Sequence, residues 1–525
     1  MKKAKKWVVA PVMLAAMSSM LLSACGSNGN DNANTNANAN ANANAGSGNA
    51  DSASGDTSNA PANTTADLEP VTLKYYYPAA PQPDQQAVQD AMNKILKEKI
   101  NAEIELYPIP FENYEQKMKV MINTQEEFDL AFTAPWVLNY NANATNGAYA
   151  DLTDILPKYA PNLYASLKPE LWNAAKVNGK LYASINQQIF ARQFGFWYNK
   201  EFTDKYNVDY TKIETLKDFS DYLLKVKAGE PADRTDRMTW KADWLDRIKE
   251  MKGWESVGGS DTPGAIVSSE ANPKVFNEYD TPEYKETIEL AKELQTAGVI
   301  PKDVLTAANW DRSKMFGAVT SVAPGAEQAE AQSNSMKEVV MHGVGSPTLT
   351  TNNVTATMTA VSATSKNPER AAMFLELINT DKDLYNLLCH GIEGTHYTKV
   401  GDNKYENIKD SKYSPGSDWM FGNQFNGLIP VASPDDVWEQ TKKLNESATA
   451  SVLLGFVYDD SNIKTEAANC AAVIAQYKDV FAAGLYGGDT DKKYEQFLSD
   501  LKKAGLDKIL ADKQAQVDKF IAGKA

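Results

Sequence analysis

Val71-Thr72-Leu73-Lys74-Tyr75-Tyr76-Tyr77 opens the stretch that decides the fold. It is rich in β-branched and aromatic residues and reads as a strand. Val88, Ala91, Met92, Ile95 and Leu96 then fall on one helical face. Residues 102–107 form a second strand, Tyr114, Met118, Met121 and Ile122 mark a second helix, and Phe128-Asp129-Leu130-Ala131-Phe132 is a third strand. A β-α-β-α-β order predicts a parallel sheet covered by helices. Ligands of such sheets sit beyond the carboxyl ends of the strands. The loop from Thr133 to Tyr140 therefore occupies a site-forming position.

Upstream of this stretch the chain changes character twice. Lys2, Lys3, Lys5 and Lys6 precede an apolar run from Trp7 to Leu22, the pattern of a secretory signal. The run ends at Leu22-Ser23-Ala24-Cys25, which resembles a bacterial lipobox: the signal, residues 1–24, would be cut before Cys25 and the thiol acylated. The alternative is an ordinary secretory signal that happens to end near a cysteine. From Gly26 to Asp67 there is no aromatic and, Pro61 apart, no aliphatic residue larger than alanine. Such a segment cannot bury enough apolar surface to offset chain entropy. Residues 25–67 are thus expected to be a lipidated cysteine and a disordered tether, with an r.m.s. span of roughly 35 Å and a stretched reach on the order of 140 Å.

The remaining 458 residues, Leu68 to Ala525, are too many for one compact core and suit two or more domains. Loss of the four signal lysines takes the net charge from −15 to −19. That acidity argues against nucleic-acid partners, which demand clustered Lys and Arg. No later apolar run reaches the length of a membrane span, so the lipid is the expected membrane attachment and the body is expected to be soluble and monomeric. His342, His390 and His396 are too few and too scattered for a zinc site, and no cofactor or metal is expected. Cys389 and Cys470 read as small buried hydrophobes on helices, with a bridge between them the alternative.

Downstream, residues 180–185 and 189–199 look extended, and a helix is expected around 216–226. Pro282 to Ala297 is a helix closed by Gly298. Asn367-Pro368-Glu369 starts another, with Asn as N-cap, Pro in the first turn and an acid behind it. The end of the chain is helical: Ile463, Ala467, Cys470, Ile474, Tyr477 and Phe481 form one stripe, and two further helices follow Gly484 and Gly505.

Several segments line up with one family. Residues 128–132, then Gly147-Ala148-Tyr149-Ala150-Asp151-Leu152, Asn178-Gly179-Lys180-Leu181-Tyr182 and Trp197-Tyr198-Asn199-Lys200 occur in the order found in family 1 extracellular solute-binding proteins of ABC importers, which this chain resembles. Residues 362–371 resemble a later signature of that family. Gly391-Ile392-Glu393-Gly394-Thr395-His396-Tyr397 resembles the large lipoprotein subgroup typical of Gram-positive bacteria, and residues 453–508 look like the C-terminal domain of unknown function attached to it. The resemblance implies a periplasmic-binding-protein-like α/β fold of type II: two lobes, a hinge, a ligand in the cleft, and a helical C-terminal region. By that pattern lobe 1 comprises 68–190 with 342–388, lobe 2 comprises 191–341 with 389–430, and residues 431–525 form a helical domain packed on lobe 2. It also implies delivery of an oligosaccharide to ABC permease subunits at the outer face of the cell membrane.

Sugar sites combine flat rings that stack on C–H-rich faces with planar polar groups that bind vicinal hydroxyls. The chain holds ten Trp and 24 Tyr. Three segments expected at the cleft carry such mixtures: Trp136, Asn139 and Tyr140; Gln187, Gln188 and Arg192; and Trp419, Phe421, Asn423 and Asn426. Trp240 is a further candidate from lobe 2. Each has a structural alternative: Trp136 as a core cap, one glutamine turned away, Arg192 paired with an acid. No Walker loop, Gly-x-Ser-x-Gly elbow or His-Glu-x-x-His is present, so the chain is not expected to be an enzyme. A lipid-anchored polysaccharide hydrolase or lyase, with two carboxylates across a cleft, and a sugar-sensing lipoprotein are the alternatives.

Overall fold

The structure is a computed structural model that describes residues 68–231, 244–259, 262–306 and 311–524. Strand β1 (Val71–Pro78), helix α1 (Gln85–Ile100), β2 (Ala102–Ile109), α2 (Phe111–Asn123) and β3 (Leu130–Thr133) follow in the expected order. β1 pairs in parallel with β2 along its full length and with β3 on its other side. Met358–Val361 then inserts antiparallel between β3 and β4 (Ala183–Ile185). The sheet is a mixed one whose parallel part is the part legible from local pattern.

Helix α1 covers this sheet because Val88, Met92, Leu96 and Ile100 recur every fourth residue and are all buried. Asn101 ends it in the left-handed conformation (φ 44°). The Arg370 guanidinium donates to the carbonyls of Ile100 (2.6 Å) and Asn101 (2.9 Å), which satisfies acceptors that the helix end leaves open.

The second sheet contains β5 (Arg192–Asn199), flanked antiparallel by Gly317–Val322 and Val339–Leu349, with the short Thr449–Ala450 beyond. Its core includes Phe196, Tyr198, Phe202, Phe219 and Phe316, and it runs without a break into the helices Lys464–Ala482 and Thr490–Ala504 through Phe481 and Phe497. Tyr494 seals that junction by donating to the Tyr279 carbonyl (2.8 Å). Cys470 is buried in this core and Cys389 in the first, and both are free thiols. No helix among the described residues is long and apolar enough to cross a membrane.

The chain departs from the expected lobe boundaries at two places. His342, Gly343, Val344 and Thr348 are still paired with β5 on a strand that runs to Leu349, so the return to the first sheet follows Leu349 rather than preceding it. Residues 389–421 do not enter the second core: Cys389, Tyr413, Met420 and Phe421 are buried in the first. The reason lies in the segment Gly391–Tyr397. Buried His396 accepts from the Ile392 amide (2.8 Å) and reaches Asp84 (3.3 Å), folding the chain back onto the entrance of α1. The later crossing comes after Pro430.

Candidate ligand-binding cleft

Three segments carry the chain between the two cores, and each is held by specific polar contacts. In the first, Gln187 exchanges backbone hydrogen bonds with Gly422 and Gln424, and its side chain donates to Ser166 (2.8 Å). Gln187 therefore points into the first core's side. Gln188 donates to Thr357 Oγ1 (2.9 Å), which ties the first crossing to the second. Asn445 closes the third: its carboxamide oxygen accepts from the Phe190 and Ala191 amides (2.8 and 2.9 Å), and its Nδ2 donates to the Gln188 carbonyl (2.8 Å). Both glutamine side chains are buried structural groups.

The loop after β3 builds one wall. Thr133 donates to the Leu138 carbonyl (2.7 Å), and Leu138 takes a positive φ, so the chain doubles back sharply. Asn139 caps the helix Tyr140–Thr145 through the Ala142 amide. That helix start turns Tyr140 inward, where it is fully buried and donates to the Ala175 carbonyl (2.8 Å). Tyr140 is a core residue, not a ligand contact. Trp136, at the loop's tip, is 53% exposed. Its Nε1 donates to the Ala356 carbonyl (2.8 Å). With the indole N–H engaged, the ring face is what remains for a ligand. Trp419 lies 6.2 Å away at 39°, and Phe132 lies against both rings. Two tryptophans separated by more than 280 positions thus form one aromatic shelf.

At the hinge end of β5, Arg192 is exposed, and its guanidinium has no hydrogen bond or ion pair among the described residues. Surrounding protein, with the nearby Arg247 charge, holds its pKa below the usual guanidinium range. Arg247 itself lies over the Phe194 ring (4.8 Å) and pairs with Glu250 (3.5 Å). Trp240 lies outside the described residues.

Below the loop of Trp136 opens a cavity of about 410 Å³, lined by Pro135, Asn139, Asn141, Asn352, Glu255, Val457 and Tyr458 among others. Glu255 accepts a hydrogen bond from Ser451, and burial pushes its carboxyl up to about 7. These residues come from four distant segments, and no local pattern in the sequence marks them. Among the described residues no cluster of His, Cys, Asp and Glu could hold a metal ion.

Residues 79–383 match the family model for bacterial extracellular solute-binding proteins, and residues 452–522 match a domain of unknown function, DUF3502. The chain belongs to the bacterial extracellular solute-binding protein family, and the match covers more than half of it. That family binds solutes, which sets aside the hydrolase and lyase alternatives. A carbohydrate ABC transporter substrate-binding protein of Streptococcus pneumoniae is 28% identical over 446 residues, covering 82% of this chain and 87% of that protein. The polygalacturonan/rhamnogalacturonan-binding protein YtcQ of Bacillus subtilis is 23% identical, covering 54% and 58%. The crystal structure of the N-glycan transport solute-binding protein NgtS of S. pneumoniae superposes with a TM-score of 0.76 at 25% identity, over 87% of this chain and all of that one. Its complexes with Man1GlcNAc and Man5GlcNAc superpose at 0.67 and 0.63.

Proposed function

We propose that this solute-binding protein captures an oligosaccharide between its two lobes and delivers it to the permease of an ABC importer. The observation that carries this is the shelf of Trp136 and Trp419 beside the inter-lobe crossings. An indole whose N–H is already engaged offers a ring face, and ring faces suit the C–H side of a sugar. The sugar-binding relatives support the class of ligand. Trp136 and Trp419 are the stacking residues, and Arg192 is a polar contact at the hinge. Lobe 1 consists of 68–190 with 350–430, lobe 2 of 191–349, and residues 431–525 ride on lobe 2.

The lobes close on the ligand. This chain superposes less well on the two NgtS sugar complexes than on the first NgtS structure, as a shift of the lobes on binding would produce. Cleavage before Cys25 and acylation of that residue hold the body at the outer face of the membrane on its Asn/Ala-rich tether. Two or more acyl chains suffice for firm anchoring, at roughly 0.8 kcal/mol per buried methylene. A thermal-shift screen of the mature protein against neutral and acidic oligosaccharides tests the reading. A ligand at 100 times its Kd adds about 2.7 kcal/mol to stability. A screen in which amino acids or peptides shift the melting temperature and no sugar does would overturn it.

A further inference from the structure

The cavity beneath the Trp136 loop is walled by four parts of the chain, and one of them is the C-terminal domain. Pro135, Asn139 and Asn141 belong to the loop that presents Trp136, and Asn352 to the second crossing. Glu255 comes from the second lobe, and Val457 and Tyr458 from the start of the C-terminal domain.

The C-terminal wall is rigidly mounted. Tyr458 donates to Asp512 (2.8 Å), the Asp459 amide donates to Gln516 (3.0 Å), and Phe456 packs on Phe520 (5.3 Å). Gly258 lets the second lobe lie flat against it: a Cβ there would fall 2.2 Å from the Tyr458 ring. The first-lobe side is joined to it by Thr351, which donates to the Leu453 carbonyl (3.2 Å) and accepts from the Gly455 amide (2.8 Å). On this anchored segment Val457 stays 43% exposed.

The cavity has the composition of a sugar subsite. Half-buried Asn141 and exposed Asn352 line it, and neither side chain has a hydrogen-bond partner among the described residues. Its volume falls within the span of small-molecule pockets, roughly 300–1,000 Å³. Its charged lining residues are Glu255 and Asp460, and no Lys or Arg lines it. An acidic sugar entering it would face these two carboxylates, while the nearby Lys513 is already held by Thr262 (3.0 Å) and the Tyr458 ring (5.5 Å). Asn amides and Glu255 instead match the donors and acceptors of neutral hydroxyls.

We infer that the C-terminal domain is part of the binding site: residues 453–458, with Asn141, Asn352 and Glu255, form a subsite for the neutral sugar units of an oligosaccharide whose first unit stacks on Trp136. This rests on the oligosaccharide reading above and deepens it. At neutral pH a carboxyl titrating near 7 can either donate to a hydroxyl or accept from it, which suits Glu255 to that task.

Isothermal titration of the mature protein tests the subsite. The probes are Man1GlcNAc, Man5GlcNAc, short and long neutral oligosaccharides of glucose, galactose and xylose, and a long oligogalacturonide. The variants are N141A/N352A, which removes both free amides, and Val457→Arg, which fills the cavity from an exposed position. The longer member of the neutral series that binds is expected to bind about tenfold tighter than the shorter. Each variant is expected to reduce that preference to within about twofold and to leave the short sugar's Kd unchanged. The oligogalacturonide is expected to bind more weakly than the neutral chain. Equal affinity for long and short sugars, or an unaltered preference in both variants, overturns the subsite and leaves the cleft reading intact. Tighter binding of the oligogalacturonide overturns its neutral character. No binding by any sugar overturns the cleft reading and the subsite with it.

Discussion

Replacing Trp136 with alanine should weaken oligosaccharide binding by about tenfold while leaving the protein folded. A tryptophan offers roughly 150–250 Å² for burial. With 53% of Trp136 exposed, on the order of 100 Å² is left for a ligand to cover. At about 25 cal/mol per Å² the ceiling is about 2.5 kcal/mol. A sugar that covers one ring face recovers part of this, about 1.5 kcal/mol, or tenfold in Kd. The structural cost is separate: one hydrogen bond to the Ala356 carbonyl, about 1 kcal/mol, and the edge contacts with Phe132 and Trp419. Trp136→Phe separates the two costs, because it keeps a ring face and loses the N–H. Calorimetry on wild type and both variants, beside their melting curves, reads both quantities. The phenylalanine variant should bind more tightly than the alanine variant. A folded Trp136→Ala protein whose Kd stays within twofold of wild type would refute the stacking role.

Glu255 predicts a pH dependence of stability. Its carboxyl titrates near 7 in the folded protein against 4.5 ordinarily, chiefly through burial. Between those values the unfolded chain releases the proton while the folded protein keeps it, so stability is full below pH 4.5 and falls as pH rises to 7. The loss is about 3 kcal/mol at most, and Glu255→Gln should remove that slope from urea melts taken across the range. Cys389 and Cys470 lie in separate cores as free thiols, so reducing agent should leave the melting temperature unchanged; a drop would reveal a disulfide. Cys25→Ala should release the protein into the medium, and its retention in washed membranes would contradict lipid anchoring. Asn445→Ala orphans the Phe190 and Ala191 amides and should cost about 1–3 kcal/mol in denaturant unfolding; a cost below 0.5 kcal/mol would show that water replaces it at the hinge.

The first sheet was legible because β1, β2 and β3 follow one another with α1 and α2 between them, and each element carries its own period. The insertion of Met358–Val361 was not, since its partners lie more than 170 positions away and nothing local specifies which strand receives it. The third crossing was expected after residue 388 and comes after Pro430 instead, because its lock, Asn445, is one carboxamide that bonds a segment some 255 positions earlier. Trp136 and Tyr140 show how composition alone misleads. Both are aromatic and four residues apart, yet Asn139 starts a helix between them, which buries Tyr140 and leaves Trp136 outside. Gln187 and Gln188 read as sugar-binding amides; both are consumed by the hinge, because a buried crossing must satisfy its own polar groups first. Glu255, Asn141 and Asn352 carried no signal at all, as the cavity exists only once four distant segments meet.

The central claim is that two lobes close around an oligosaccharide. Small-angle X-ray scattering on the mature protein, with and without a saturating oligosaccharide whose binding has been fixed by calorimetry, measures this directly. Closure predicts a smaller radius of gyration in the complex. An identical scattering profile at full occupancy would contradict capture by a hinged cleft.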